Sequence, residues 1–214
     1  MLGDDSAHEG DWLVALHQQA GRGRQGRGWM SSDGNFFGST FVELRRSDPP
    51  AQSRSLAAGA ALIRAVEAAA PATGLILKWP NDLMMGAAKL AGVLLERSGD
   101  RLVAGFGINL AQAPAIEGRA TAALSSVALV SPESFAPLLA ASFSRALAMW
   151  RDDFQRLATA WIESAHPVGT PLTIHSGPGQ TISGTFAGIE SDGALRLELE
   201  PGVTEIVRAG DVEL

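Results

Sequence analysis

Between Gln18 and Trp29 the chain reads Gln-Gln-Ala-Gly-Arg-Gly-Arg-Gln-Gly-Arg-Gly-Trp, with glycine at 21, 23, 26 and 28, arginine at 22, 24 and 27, and no acid. Glycine lets the backbone come close to a ligand and turn through positive φ, so successive N–H groups converge on a negative oxygen, and guanidinium forks add bidentate contacts. The stretch reads as an anion-binding loop for a phosphate or a carboxylate. It has neither the glycine pair and Lys-Ser/Thr ending of a P-loop nor the strand–turn–helix setting of a dinucleotide fingerprint. An Arg-Gly tract that touches RNA is the competing reading. Against it, Leu13-Val14-Ala15-Leu16 reads as a short buried strand before the loop, and Trp29 with Phe36-Phe37 follows, so the tract is expected to be embedded in a core.

Rare residues mark a second region. Of the 17 basic residues only Lys78 and Lys89 are lysines, and the asparagines are Asn35, Asn81 and Asn109. All of them fall between positions 35 and 109. An ammonium is a compact point charge and a guanidinium a planar fork, so the two positions that keep lysine in an arginine-rich chain are chemically distinct from the rest. No cysteine is present, which rules out disulfides and thiolate metal sites, and His8, His17, His166 and His175 are too scattered for a zinc cluster. No protein metal ligand is assigned.

The 214 residues, 46% hydrophobic, suit one domain with a small annex and a real core. No apolar run approaches the roughly 18 residues of a membrane span, and the start Met1-Leu2-Gly3-Asp4-Asp5 is acidic where a secretory signal is basic and then apolar. A soluble, cytoplasmic protein is expected. The formal charge of −6 is uneven: residues 165–214 hold seven acids against two arginines, leaving 16 acids and 15 bases before them. One short basic loop in an acidic body argues against a general nucleic-acid binder.

The elements that must position these groups follow from pattern. Phe36–Leu44 reads as a strand entered through the turn Ser32-Asp33-Gly34-Asn35. Pro49-Pro50 opens an alanine-rich helix to about Ala70, with Pro71 and Gly74 beyond its end. Leu75–Lys78 is a strand stopped by Trp79-Pro80. Gly92–Glu96 and Leu102–Leu110 form a hairpin about Ser98-Gly99-Asp100. Ser131-Pro132-Glu133 starts a helical region to about Ala165, with one apolar stripe through Phe143, Leu147, Trp150, Phe154, Leu157 and Trp161 and a break expected near Asp152-Asp153. After the linker His166-Pro167-Val168-Gly169 come short strands 171–175, 181–189, 194–199 and 204–208, with turns at Gly177-Pro178-Gly179, Ser191-Asp192-Gly193 and Pro201-Gly202.

Taken in order, the Gly/Arg loop, Lys78-Trp79-Pro80-Asn81-Asp82, Lys89-Leu90-Ala91-Gly92-Val93-Leu94-Leu95-Glu96, Gly105-Phe106-Gly107-Ile108-Asn109-Leu110 and a β-rich tail closely resemble the biotin protein ligases, from about Trp12 to Leu214. The resemblance implies an α/β (α+β) fold: a mixed sheet with flanking helices, related to the class II aminoacyl-tRNA synthetase and lipoate ligase core, over residues 1–165, and a small SH3-like β-barrel over 166–214. It implies two steps. Biotin and ATP with Mg²⁺ give biotinyl-5′-adenylate and pyrophosphate; a lysine of a biotin carboxyl carrier protein, of acetyl-CoA carboxylase or another biotin-dependent carboxylase, then takes the biotinyl group. It further implies that Gln18, Arg22, Gly23, Arg24 and Lys89 line the biotin site, and that Arg22, Arg27, Asn81, Lys89 and Asn109 contact the nucleotide, with Lys89 and Arg24 catalytic. No DNA or membrane partner is implied.

One motif departs from the family pattern. A Ser/Thr-Asn turn touching biotin is usual some twenty or more residues before the Gly/Arg loop, and Ser6-Ala7-His8 does not match it. Either the natural polypeptide begins upstream of Met1 and carries that turn there, or the chain has lost part of its biotin site; the first is the expectation. No helix-turn-helix precedes the loop, so no repressor role is implied. The competing functions are a lipoate or octanoate transferase of the same superfamily and a degenerate, non-catalytic homologue.

Overall fold

The computed structural model describes residues 7–70, 74–177 and 179–214. The acidic start Met1–Asp5, Ser6 of the polar cluster, Pro71 after the first helix and Pro178 of the tail turn lie outside the described residues.

The described chain builds two sheets. The first comprises β1 (Trp12–Ala15), β2 (Phe36–Glu43), β3 (Leu75–Lys78), β4 (Asp82–Met85), β5 (Ala88–Ser98) and β6 (Arg101–Ile108), in the order β1-β2-β6-β5-β4-β3. Its ladders are antiparallel, and parallel pairing enters as isolated bridges, Leu77 to Ala165 and Lys89 to Thr121. The expected hairpin is β5–β6, with Ser98 opposite Arg101. Strand β4 has no clear signal in the sequence, because Asn81–Met85 carries too little alternation to stand out from the motif around it.

Three helices pack beside this sheet: α1 (Arg54–Ala69), α2 (Pro132–Asp152) and α3 (Phe154–Glu163). Small side chains let α1 lie close to α2 and to β3, β4 and β5; Ala57, Ala58, Ala61 and Ala65 are all buried. Ser131 caps α2 by accepting from the Ser134 N–H at 3.2 Å, with Pro132 in the first turn. The break falls where expected: Asp153 ends α2 and caps α3, its Oδ1 accepting from the Arg156 N–H at 3.2 Å. Phe143, Leu147, Trp150, Leu157 and Trp161 are buried along one stripe, and Phe154 is partly so.

The tail forms the second sheet: β7 (Pro171–Gly177), β8 (Gln180–Ile189), β9 (Leu195–Glu200), β10 (Val203–Val207) and β11 (Asp211–Glu213), ordered β10-β9-β8-β7-β11. No ladder joins β10 to β11 among the described residues, so the small sheet is open rather than a closed barrel. It is docked on the first unit through its 191–193 turn. Gly193 O accepts from the buried Trp79 Nε1–H at 3.1 Å, and a Cβ at Gly193 would lie 2.8 Å from Ser53 Cα, so this contact requires glycine.

One expectation fails. The apolar run Leu13-Val14-Ala15-Leu16 predicts a buried strand, yet Leu13 is 57% and Leu16 68% exposed. The segment does pair with β2, but it is the sheet's edge, and only Trp12 turns inward, against Phe106 and Phe143 at ring distances of 5.6 and 5.9 Å.

Candidate active site

The Gly/Arg loop, β3–β6 and the end of the tail sheet enclose a cavity of about 1130 Å³. Gln18, Arg22, Gly23, Arg24, Arg27, Asn81, Lys89 and Asn109, every residue assigned to the site from sequence, line it. Their backbones come from four separate segments of chain.

The loop is ordered by its own backbone. Gly23 N–H donates to Arg27 O at 2.7 Å, Trp29 N–H to Gly21 O at 2.9 Å, and Arg22 bridges Gly28, so the loop closes as a small antiparallel turn with a 3₁₀ turn at Arg24–Gly26. Gln25 sits at φ 56°, a left-handed conformation costly for a side chain without a constraint on it. The arginines then point apart. Arg22 pairs with Glu96 at 3.3 Å near the rim; Arg24 Nη1 donates to Asn81 Oδ1 at 3.3 Å and Gly210 O at 3.5 Å; Arg27 grips Asp211 with both Nη atoms at 2.9 Å. Burial lowers the Arg24 pKa, opposed by the charges of Asp211 and Asp82. Burial raises that of Asp211, but the Arg27 hydrogen bond and the charges of Arg27, Arg24 and Arg119 outweigh it and leave the carboxyl below its ordinary range.

Lys89 stands on β5 beside a register shift in the β4–β5 ladder. Its Nζ is 2.5 Å from Asp82 Oδ1 and 5.5 Å from the centroid of the Trp29 ring, so a carboxylate and an aromatic face hold one ammonium. Trp29 reaches that place because the strands beneath it lack side chains. A Cβ at Gly107 would lie 2.4 Å from the indole, and one at Gly92 would lie 3.2 Å from both the indole and Lys89 Nζ. The indole Nε1 is buried without a hydrogen-bond partner among the described residues.

The asparagines are engaged within the chain. Asn81 donates to Val93 O at 2.5 Å and accepts from Arg24, so it orients that guanidinium. Asn109, 2% exposed, donates to Ala122 O at 3.1 Å. With Lys89 N–H to Ala120 O and Ala122 N–H to Lys89 O, both 2.9 Å, it straps the segment 111–123 across β5. Gln18 lies where the loop begins, its N–H donating to Ser31 Oγ at 2.9 Å. Among the described residues no group of three or more His, Asp or Glu could hold a metal ion by itself.

Sequence reasoning missed Trp29 as a wall, Asp82 as the partner of Lys89, the 111–123 strap with Arg119 on the rim, and Asp211. Asp82 sat inside a quoted motif, and Glu117-Gly118-Arg119 is a second turn carrying a cation; both were legible signals. Nothing local distinguishes Asp211 from the other tail acids.

Residues 2–112, more than half of the chain, match the biotin/lipoate A/B protein ligase family. The chain belongs to that family. Residues 169–214 match the biotin protein ligase C-terminal domain, which bears out the resemblance read from the motifs. Among curated relatives, the biotin–[acetyl-CoA-carboxylase] ligase of Paracoccus denitrificans is 36% identical over 94% of this chain and 89% of its own length. Its namesake from Mycobacterium tuberculosis is 35% identical over 95% of this chain and 79% of its own. The fold is shared with the biotin protein ligase of Aquifex aeolicus in complex with biotin and ATP, at a TM-score of 0.84 and 24% identity over 97% of this chain and 89% of that one. That shared fold spans both units of this chain.

Proposed function

We propose that the chain is an ATP-dependent biotin protein ligase that forms biotinyl-5′-adenylate and transfers the biotinyl group to a lysine of a biotin carboxyl carrier protein. The observation that carries this reading is the Lys89 ammonium held between Asp82 and the Trp29 face in a cavity rimmed by Arg24 and Arg27. An aromatic wall over bare glycine strands suits a compact bicyclic ring, and the cations suit the two anions that must meet.

The chemistry needs those groups. A carboxylate oxygen attacks the α-phosphorus, so two negative partners approach and charge grows on the phosphoryl oxygens; catalysis is mainly positioning and electrostatic stabilisation. Lys89 is the catalytic cation at the carboxylate and α-phosphate. Arg24, oriented by Asn81, and Arg22, with Gln18 and Gly23, complete the biotin and adenylate surroundings; Arg27 adds a phosphate contact, and Asn109 holds the strap that covers the nucleotide. Mg²⁺ arriving with the triphosphate would supply further neutralisation at the phosphates; the two carboxylates that line the cavity beside these cations, Asp82 and Asp211, are each paired, with Lys89 and Arg27. No side-chain nucleophile is required.

The acyl adenylate hydrolyses readily, so a loop that closes over it has a protective purpose. We divide the chain into a catalytic unit at 1–165 and a tail unit at 166–214, a reading supported by the two separate sheets. No helix among the described residues is long and apolar enough to cross a membrane; a cytoplasmic location is the reading that goes with a carboxylase carrier as partner. The test is pyrophosphate release with ATP and either biotin or lipoate. Biotin-dependent release is expected; lipoate-dependent release would move the assignment to the lipoate branch of the family, and release with neither would leave a non-catalytic homologue.

A further inference from the structure

His166 opens the linker from α3 to the tail sheet and lies outside the active-site cavity. It stands at the seam between the two units. There Leu77 of β3 and Trp161 of α3 face Leu172, Phe186, Leu195 and Val212 of β7, β8, β9 and β11 around a void of about 10 Å³, room for about one water at most. The His166 Nε2 is buried at this seam with no hydrogen-bond partner among the described residues. None of those lining side chains carries a charge, and the charged group that acts on the ring is Lys78, at the end of β3. On the tail side the acids flanking Val212 are engaged elsewhere, Asp211 with Arg27 and Glu213 with His175. Burial, and after it the Lys78 ammonium, push the His166 pKa down and keep the ring neutral at neutral pH. Protonation would put a second N–H and a positive charge into an apolar seam beside another cation, and the lining offers no carboxylate to receive them.

The seam leads to the Gly/Arg loop. Val212 lines it, and the two residues before Val212 hold the loop: Gly210 O accepts from Arg24, and Asp211 pairs with Arg27. We propose that His166 is an acid-sensitive pin between the units: once protonated, it lifts the tail sheet from the catalytic unit, and Arg24 and Arg27 lose Gly210 and Asp211. The step takes one proton from water onto the ring. The docked pKa lies below the ordinary value of about 6.5, so docking is at full strength above that pH and weakens as pH falls towards the docked value. In that window the undocking constant climbs towards about tenfold per pH unit, the limit for uptake of one proton. The consequence for the product rests on the adenylation reading: a loop freed from the tail retains biotinyl-5′-adenylate less well.

The probe is the Trp79 indole N–H, which donates to Gly193 O across the same seam. Its NMR signal is identified by its loss in Trp79→Phe, and its solvent exchange, divided by that of free indole, gives the opening constant from about pH 7.5 to about pH 5.5. The constant should rise about tenfold or more over that range in the wild type and stay within about twofold in His166→Gln, which keeps a polar side chain but does not titrate. His8, His17 and His175 remain in that variant, so a slope that survives in it belongs to them and overturns the proposal, as does a flat wild-type profile. His166→Leu, matched to the apolar lining, takes the place of the glutamine variant if that one fails to fold. Release of biotinyl-5′-adenylate should rise in parallel in the wild type alone; release that ignores pH while the indole responds overturns the link from seam to loop. A wild type that forms no adenylate yet shows the indole profile defeats the adenylation reading and supports the pin, which keeps the two failures apart.

Discussion

Two sets of cations face one cavity and are held in opposite ways. Lys78 and Lys89 stand on strands either side of β4, and Lys89 is neutralised by Asp82, seven residues away in the same sheet. Arg24 and Arg27 stand on a loop, and Arg27 is neutralised by Asp211, 184 residues away on the tail sheet. A strand residue keeps its place when its counter-ion is exchanged, because the ladder fixes its backbone. A loop held by a distant carboxylate loses an anchor when a phosphate competes for the same guanidinium fork. Under the proposed function, Lys89 is therefore expected to act in the chemical step and the loop cations in retention of its product.

The largest expected effect is on the sheet side. Lys89→Ala should lower biotinyl-adenylate formation by about 10²-fold or more with the fold intact, and Lys89→Arg should rescue only part of it, since the longer planar fork does not fit between Asp82 and Trp29. Unchanged adenylate formation in the alanine variant would remove Lys89 from the mechanism.

On the loop side, Arg24→Gly should leave formation largely intact and speed release of the adenylate about tenfold, roughly one charge-assisted hydrogen bond, so that bystander lysines become labelled. Asp211→Asn should give the same phenotype within about threefold, because the Arg27–Asp211 pair is more than a third exposed and solvent screens it. Formation rates that fall while labelling stays specific would erase the distinction between the two sets.

Gly107→Ala tests the wall they share. The added methyl meets the indole, and such overpacking typically costs about 1–3 kcal/mol, so the melting temperature should fall by about 2–4 °C or more and biotin affinity should drop about tenfold by calorimetry. A loss of stability without a loss of affinity would make Trp29 a packing residue only.

The smallest effect is a control away from the cavity. Arg151 donates to Glu9 at 2.7 and 2.6 Å across 142 residues, another long-range ion pair. Its hydrogen bond, against burial, holds the Glu9 carboxyl below its ordinary value. The folded pKa is lower than the unfolded value of about 4.3, so the stability is complete above that pH and is lost as pH falls through the folded value. Glu9→Gln should therefore lower the melting temperature by about 2–4 °C at pH 7, with the gap closing in acid, and should leave adenylate retention unchanged. Altered retention would mean that long-range pairing as such, rather than pairing at the loop, controls the product.

Much of this molecule was legible from local pattern. Glycine and arginine alternating at 21–28 announced an anion loop, Lys89 stood out by residue type, the 98–101 turn defined the β5–β6 hairpin, and the 3–4 spacing from Phe143 to Trp161 defined a buried helical stripe with its break at Asp153. Such features depend on neighbours in sequence, where spacing and side-chain type are themselves the cause. The exposure of Leu13 and Leu16, the seating of Trp29 on Gly92 and Gly107, the strap at 111–123 and the grip of Arg27 on Asp211 depend instead on which distant segments meet. An apolar run is buried only if another element covers it, and an arginine is neutralised only by the acid the fold delivers. Tertiary structure alone chose Asp211 from the seven acids of the tail, because pairing is decided by position in space and the sequence of the tail marks no acid apart from the others.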